Sequence, residues 1–395
     1  SSASSKLVHG GLRYLERFEF RLVQEALGER VVLLRIAPHI VHAMRFVLPH
    51  AAGMRPPWMM RLGLYVYDHL ARRQMLPASR SVSLSQSPYN DGLKTTYTRG
   101  YAYSDCWVDD ARLVIANAMS ARDAGATILP RMALISAQRR NGKWHAQIQG
   151  AGATEVVARV LVNATGPWAD RVLELAGDHS HTHKLKRIQG SHIVVPRLYE
   201  GEHAFILQNS DGRVVFVYPY EGHTLIGTTE VELSGGPDTC HATEEEQAYL
   251  CAAANRYFQR EVSLSDVLWS YCGVRALVDD GAASPTGVSR DYQLEFDANP
   301  SVAPVLSVFG GKITTYRKLA ERALGKLAPY FPEMKPPWTA GAPLPGGDLI
   351  AGGEAAYLKD LQNRYTSLPH ELLATLFRRH GTLTPTVLGP ARRVH

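Results

Sequence analysis

The residue types that could do chemistry gather at a few short stretches. Residues 305–318 read Val-Leu-Ser-Val-Phe-Gly-Gly-Lys-Ile-Thr-Thr-Tyr-Arg-Lys. Leu306, Val308 and Phe309 look like a buried strand, Gly310 and Gly311 break it, and Tyr316, Leu319, Ala320, Ala323 and Leu327 recur at helical spacing. Strand, glycine pair and helix together aim unpaired backbone N–H groups and a positive helix end at an electron-rich ligand. Glycine leaves no Cβ between that ligand and the backbone, and Lys312 adds a full charge at the same place. An ordinary βα turn with a surface lysine has the same pattern, because short motifs recur by chance, so the rest of the chain decides.

A second dense stretch is residues 1–16, where Ser1, Ser2, Ser4, Ser5, Lys6, a histidine and the pair Gly10-Gly11 precede Arg13 and Tyr14. Serine-rich ends are often disordered, but Leu7, Val8, Leu12 and Leu15 make this one too apolar for a tail. Arg13, Arg275, Arg290 and Lys312 each lie beside a glycine or at an expected strand end. Alone, any of them reads as a surface or salt-bridge residue. Together at corresponding strand ends they suit a phosphate or carboxylate, whose geometry the guanidinium fork matches.

The elements that must position these groups alternate in type. An amphipathic helix carries Phe20, Val23, Leu27 and Leu34 on one side. Residues 38–74 are punctuated by prolines before a second apolar helix from Trp58, with Arg61, Arg72 and Arg73. Its face suits a membrane surface or a core position, and both stay open. Residues 77–103 look like loop and short strand, and Asp109-Asp110 start a helix. Strands are expected at 128–138, 144–149 and 156–162, the first two joined by an Asn141-Gly142 hairpin turn. The last runs into Asn163-Ala164-Thr165-Gly166-Pro167-Trp168, a small-residue turn with proline at a helix start. Four further strands between 193 and 227 predict an antiparallel sheet, with turns at Asp211-Gly212 and Glu221-Gly222. A capping box, Thr243-x-x-Glu246, opens a helix to about residue 258. A strand at 267–271 is expected to end at Gly273-Val274-Arg275, and another spans 292–296. Prolines and glycines after Pro332 form a linker before two helical pieces.

With 395 residues, 45% hydrophobic and 20% charged, the chain has the composition of a soluble globular protein of two or three domains. A net charge of +6 suits an anionic substrate or an acidic lipid surface, but no like-charge run is long enough for nucleic acid. No stretch of about 18 apolar residues marks a transmembrane helix. Cys106, Cys240, Cys251 and Cys272 lack metal or CxxC spacing and are expected to be free thiols, so no metal site is expected.

The two glycine-pair stretches, residues 103–112 (Tyr-Ser-Asp-Cys-Trp-Val-Asp-Asp-Ala-Arg), residues 163–168 and residues 190–196 (Gly-Ser-His-Ile-Val-Val-Pro) resemble, in order and spacing, the FAD-dependent glycerol-3-phosphate dehydrogenases, most closely their bacterial respiratory (aerobic) branch. The resemblance covers residue 1 to about 347 and weakens beyond. It implies a mixed α/β fold of the D-amino-acid-oxidase type: a discontinuous FAD-binding domain (1–45, 107–187 and 287–335), an inserted antiparallel substrate domain (46–106 and 188–286), and a linker with a truncated helical C-terminal region (336–395). It implies oxidation of sn-glycerol 3-phosphate to dihydroxyacetone phosphate, with electrons passed to membrane quinone by a peripheral enzyme on the cytoplasmic membrane; the oligomeric state stays open, a homodimer included. Carried over by residue, Ser1, Ser2, Ser4, Ser5, Lys6, Gly10 and Gly11 line the flavin, Thr165 and Gly166 lie near its adenosine, and Gly311, Lys312, Thr314 and Thr315 face its pyrimidine edge. Arg13, Tyr14, His192, Arg275, Arg290 and Lys312 form the substrate pocket, with His192, Arg275 and Lys312 catalytic. His192 is the first choice of base, since an ordinary histidine pKa near 6.5 suits work at neutrality.

Two departures stand out. No G-x-G-x-x-G occurs, so the pyrophosphate fingerprint is expected upstream of Ser1. Ala276 replaces a usual proline after Arg275, which is expected to loosen a turn there. The rival expectations are an FAD-dependent oxidase of an amino acid or other small acid, and a non-catalytic fragment unable to hold flavin.

Overall fold

The computed structural model describes residues 2–51, 54–71, 76–177, 185–279, 291–297, 302–349 and 353–390. Strand β1 (Leu7–Val8) and a 3-10 turn (Leu12–Arg17) lead into helix α1 (Phe20–Ile36), followed by β2 (Val41–His50), α2 (Pro57–His69), β3 (Arg80–Ser83), β4 (Arg99–Val108) and α3 (Asp110–Asp123). Then come β5 (Ala133–Arg140), β6 (Lys143–Gln149), β7 (Ala153–Ala158), β8 (Leu161–Asn163) and α4 (Ala169–Leu175). Strands β9 (Leu185–Val195), β10 (Ala204–Gln208), β11 (Val214–Tyr220), β12 (His223–Gly227) and β13 (Val231–Glu232) precede α5 (Glu244–Tyr257). The chain continues through β14 (Trp269–Val278), β15 (Gln293–Asp297), β16 (Val305–Phe309), α6 (Tyr316–Leu327), α7 (Gly353–Arg364), α8 (His370–His380) and α9 (Thr384–Leu388).

Ten strands form one sheet in the order β1-β4-β2-β10-β11-β12-β9-β13, with β14 on β9 and β3 on β4. Its pairs are antiparallel except β10 with β2, which run parallel where the two chain segments meet, a departure from the all-antiparallel expectation. Apolar residues on both faces hold it. One face packs Leu7, Leu27, Phe46, Leu64, Tyr101, Tyr103 and Tyr218, the other Val47, Ala102, Phe205, Val217, Leu250 of α5 and Phe258 just after it. At about 1.5–3 kcal/mol for each large side chain buried, these two clusters supply the drive to fold that no single strand has.

A small sheet, β15-β16-β8, carries the glycine pair at the end of β16. The hairpin sheet β5-β6-β7 flanks it, and Asn141 and Gly142 both take positive φ in its tight turn.

Several expectations change. Residues 156–162 are two strands, β7 and β8, in separate sheets, because Arg159 and Val160 turn the chain between them. Residues 77–103, expected to be loop and short strand, hold β3 and the start of the ten-residue β4, and β2 was not anticipated. Gly273-Val274-Arg275-Ala276 is no turn: all four lie inside β14, paired with Gly190 through Arg187. Cys240 and Cys272 are not free thiols; the turn after β13 brings Cys240 to Cys272 of β14, and they join in a disulfide with Cα atoms 6.1 Å apart. Cys106 and Cys251 are buried and free.

Helix α1 is pinned to α6 by buried charge. Arg317 donates to both oxygens of Glu29, at 2.8 and 2.6 Å, and also reaches Glu321. After the linker, α7 and α8 pack around Tyr357, Leu361 and Phe377. Among the described residues, no helix is long and apolar enough to cross a membrane.

Candidate active site

The first residues form a loop held by the large sheet. Tyr271 donates to the Ser4 carbonyl at 2.9 Å, Tyr218 donates to the Ser5 carbonyl, and a Cβ on Gly273 would strike the Ala3 carbonyl at 2.4 Å. Close packing of loop on strand therefore requires glycine there. The hydroxyls of Ser2 and Ser4 donate to Asp110, which also pairs with Lys6 at 3.4 Å. Burial pushes the Asp110 carboxyl up, but the Ser2, Ser4 and Lys6 bonds outweigh it and hold it below the usual range. The Lys6 ammonium lies 5.7 and 5.5 Å from the Tyr220 and Tyr271 rings.

From β1 the chain turns at His9-Gly10-Gly11, where Gly11 has φ +77°. Thr314 ties this turn to the one after β16: its hydroxyl accepts from the His9 N–H at 3.2 Å and lies 3.3 Å from the His9 carbonyl. Gly310 and Gly311 have φ +71° and +99°, backbone that favours glycine. Lys312 is thereby delivered over the Tyr14 ring, 3.6 Å from its centroid. Among the described residues, no side chain caps the start of α6 or the 3-10 turn before it, where the Thr315 N–H donates to the Lys312 carbonyl at 3.1 Å.

Strands β9 and β14 supply the third wall. His192 is buried, stacks on Tyr271 with centroids 4.7 Å apart, and has Nε2 2.8 Å from Ser5 Oγ. Burial, then Arg275 and Lys6, push its pKa down to about 3. That removes the basis on which it was expected to titrate near neutrality; the ring is neutral and proton-accepting throughout the physiological range. Arg275 donates to Thr228 Oγ1 at 3.3 Å. A Cβ on Gly190 would meet that hydroxyl at 2.6 Å and the guanidinium at 2.8 and 3.0 Å.

One cavity of about 1060 Å³ joins the three walls, and Ser4, Ser5, Gly11, Arg13, Tyr14, Gly166, His192, Arg275, Gly311, Lys312 and Thr314 line it. Lys312, Arg13 and Arg275, from three distant stretches, thus share one space. Ser2, Lys6, Gly10, Thr165 and Thr315 stand behind its wall: Ser2 and Lys6 on Asp110, Gly10 on Tyr67, Thr165 on Asn163, and Thr315 buried. Ser1 and Arg290 lie outside the described residues. Sequence reasoning missed His9, which lines the cavity and whose pKa burial lowers to about 4, against Asp105 and with Lys312 and Arg30. Its position ahead of the glycine pair was the available signal.

The wall fits a flavin. Gly11, Gly166, Gly310 and Gly311 bring bare backbone with positive φ to the cavity, and a Cβ on Gly166 would meet open space. A flat ring could stack there with amides and Lys312 at its edge, and the volume exceeds what a small substrate alone needs.

Comparison with known proteins gives a consistent picture. The model of the family described as "FAD dependent oxidoreductase" matches residues 1–317. A glycerol-3-phosphate dehydrogenase of Pseudomonas aeruginosa is 51% identical over 385 residues, covering 97% of this chain and 74% of that protein. A D-erythritol 1-phosphate dehydrogenase of Brucella abortus is 46% identical over 398 residues, covering 100% and 79%. The solved glycerol-3-phosphate dehydrogenase of Bacillus halodurans, complexed with FAD, superposes with a TM-score of 0.75 at 26% identity, covering 98% of this chain and 69% of that one.

Proposed function

The chain belongs to the FAD-dependent oxidoreductases, and from that premise we propose that it oxidises sn-glycerol 3-phosphate at C2 to dihydroxyacetone phosphate. FAD, when bound, supplies the acceptor for the hydride that leaves C2. The chain's own residues do the rest. Arg275 and Arg13 grip the phosphate, a doubly charged group that a guanidinium fork binds better than a single ammonium does. Neutral His192 takes the C2 hydroxyl proton on Nε2 once the substrate hydroxyl replaces Ser5 Oγ, which lies 2.8 Å from that nitrogen. Lys312 and the start of α6 keep one end of the cavity positive, which favours negative charge arriving there.

The observation that carries this reading is the shared cavity of Arg13, His192, Arg275 and Lys312 beside the glycine turns. Adding glycerol 3-phosphate to the flavin-loaded enzyme without oxygen should bleach the flavin absorbance; an unbleached spectrum would overturn it. The similarity to the Brucella abortus protein makes D-erythritol 1-phosphate the comparison substrate. Faster bleaching by that four-carbon phosphate would move the assignment to it. For an amino-acid or small-acid oxidase, phosphate would not matter. Arg275→Ala should therefore raise KM for the phosphate substrate about tenfold or more if the phosphate reading holds.

The finer reading is that electrons go on to a membrane quinone from an enzyme lying on the bilayer. Its support is an apolar face: Trp58, Leu62 and Tyr65 of α2 are 54–64% exposed, and Phe18 is 78% exposed. The cavity runs beneath this face, lined there by Met59, Leu62, Leu15 and Phe18, with Arg55 beside it. An apolar face with flanking arginines suits anionic lipid. Trp58→Asp should reduce flotation with anionic vesicles while leaving flavin bleaching intact; unchanged flotation would count against docking through α2.

A further inference from the structure

Asp105 is wholly buried, yet it shares a face of β4 with Tyr101 and Tyr103 inside an apolar cluster. A carboxylate there is costly unless its oxygens are matched. They are matched from three directions. Arg30 of α1 donates from Nη1 at 2.5 Å, and the same nitrogen reaches the Ser104 carbonyl at 2.7 Å. Tyr67 of α2 donates its hydroxyl, 2.9 and 2.7 Å from the two oxygens. The third donor is the backbone N–H of Gly10, 3.3 Å from Oδ1 and 3.0 Å from the Tyr67 hydroxyl. A Cβ on Gly10 would lie 2.6 Å from that hydroxyl and 2.4 Å from Leu27, so the backbone is held close against the cluster.

An ion pair buried in a core adds little stability over apolar residues of the same volume, so stability is a poor account of this one. Geometry is a better account. Gly10 is held from inside by Asp105 and Tyr67, while Thr314 holds the His9 backbone from the opposite side. With the turn fixed on both sides, the His9 ring is directed into the cavity against Phe216, centroids 5.9 Å apart.

We infer that Asp105 is a positioning residue: clamped by Arg30 and Tyr67, it fixes the His9-Gly10-Gly11 turn and so aims His9 at the reacting end of the cavity. Asp105 touches neither substrate nor cofactor in this role. Its consequence for turnover rests on the function proposed above; its consequence for the turn does not.

Two variants test it in the flavin-loaded enzyme. Asp105→Asn keeps the shape and removes the charge, and Tyr67→Phe removes the bridging hydroxyl while leaving the Arg30–Asp105 pair. Amide hydrogen exchange is followed at residues 7–15 and along β2 and β4, together with the limiting rate and KM of flavin reduction by glycerol 3-phosphate. The expected result is about tenfold faster exchange confined to the turn, and a limiting rate about tenfold lower with KM changed less. Exchange and rate within about twofold of the parent in Tyr67→Phe would overturn the inference, as would protection lost throughout β2 and β4, the mark of a merely structural pair. If Asp105→Asn does not fold, Tyr67→Phe alone decides. If the parent is not reduced by glycerol 3-phosphate, the functional reading fails, while the exchange pattern still decides whether Asp105 holds the turn.

Discussion

At Gly190 the absence of one carbon decides where a guanidinium sits. A Cβ there would press on Thr228 and Arg275 at 2.6–3.0 Å, closer than real Cβ contacts come. Gly190→Ala should therefore displace Arg275, lowering kcat/KM for glycerol 3-phosphate about tenfold, equivalent to about 1.4 kcal/mol, with a near-unchanged melting temperature; parental kinetics would show that Arg275 does not depend on this gap. Arg275 and Lys312 could be picked out of the sequence because each was expected beside a glycine or at a strand end, and His192 because its stretch resembles the family; all three line one cavity. Asp105 could not. A lone acidic residue in a strand or helix reads as solvated, and only the fold shows that Asp105 meets Arg30, 75 residues away. The ordinary pKa of histidine likewise says nothing of the burial that takes His192 to about 3.

Helix α5 was legible to its first residue, and its start does more than begin a helix. The Thr243 hydroxyl accepts from the Glu246 N–H at 3.2 Å, and the Glu246 carboxylate reaches back to the Thr243 N–H at the same distance. That carboxylate also accepts from Gln189 and Thr229, both at 2.5 Å, and Thr229 in turn accepts from the Ser191 N–H at 2.8 Å. The helix start thus braces β9 on both sides of Gly190, next to His192. Thr243→Ala should cost about 1 kcal/mol of stability, while Glu246→Ala, which strands buried donors, should cost about 2–3 kcal/mol; equal losses in denaturant titrations would mean that Glu246 acts as a cap alone. Strands β2 and β4 were illegible for a reason of the same kind. Both faces of β4 are covered, so its pattern is continuous burial without alternation, and Ser104 and Asp105 interrupt the apolar run. Strands β10, β11 and β12 read more easily because the turns between them carry glycine at Gly212 and Gly222, both with positive φ.

Among the described residues, burial lowers the pKa of His9, His39, His42, His192, His203 and His380. His9, His39 and His203 have pKa values lowered to about 4, and His192 to about 3, desolvation being the largest cause in each. Unfolded, each titrates near 6.5. Above that pH both states carry neutral rings. As pH falls from 6.5 toward 4, the unfolded chain binds protons that the folded one refuses, and stability drops, by up to about 1.4 kcal/mol per pH unit for each group. Melting temperature should fall steadily across that window; a flat profile from pH 6.5 to 4 would show that these rings can take up protons in place. The mixed α/β class was readable from the alternation of elements, but the way the large sheet is joined was not. Its two portions meet through the parallel pair of β2 and β10, in register at just Ala204 with Phe46 and Phe205 with Val47, all four side chains fully buried. So short a seam is sealed by oil rather than by ladder bonds, and Leu48 and Ile206, one step further along, face the cavity. Under mechanical load or high pressure, the molecule should tear there first, and the substrate chamber would split along its own ceiling before either half had lost a strand.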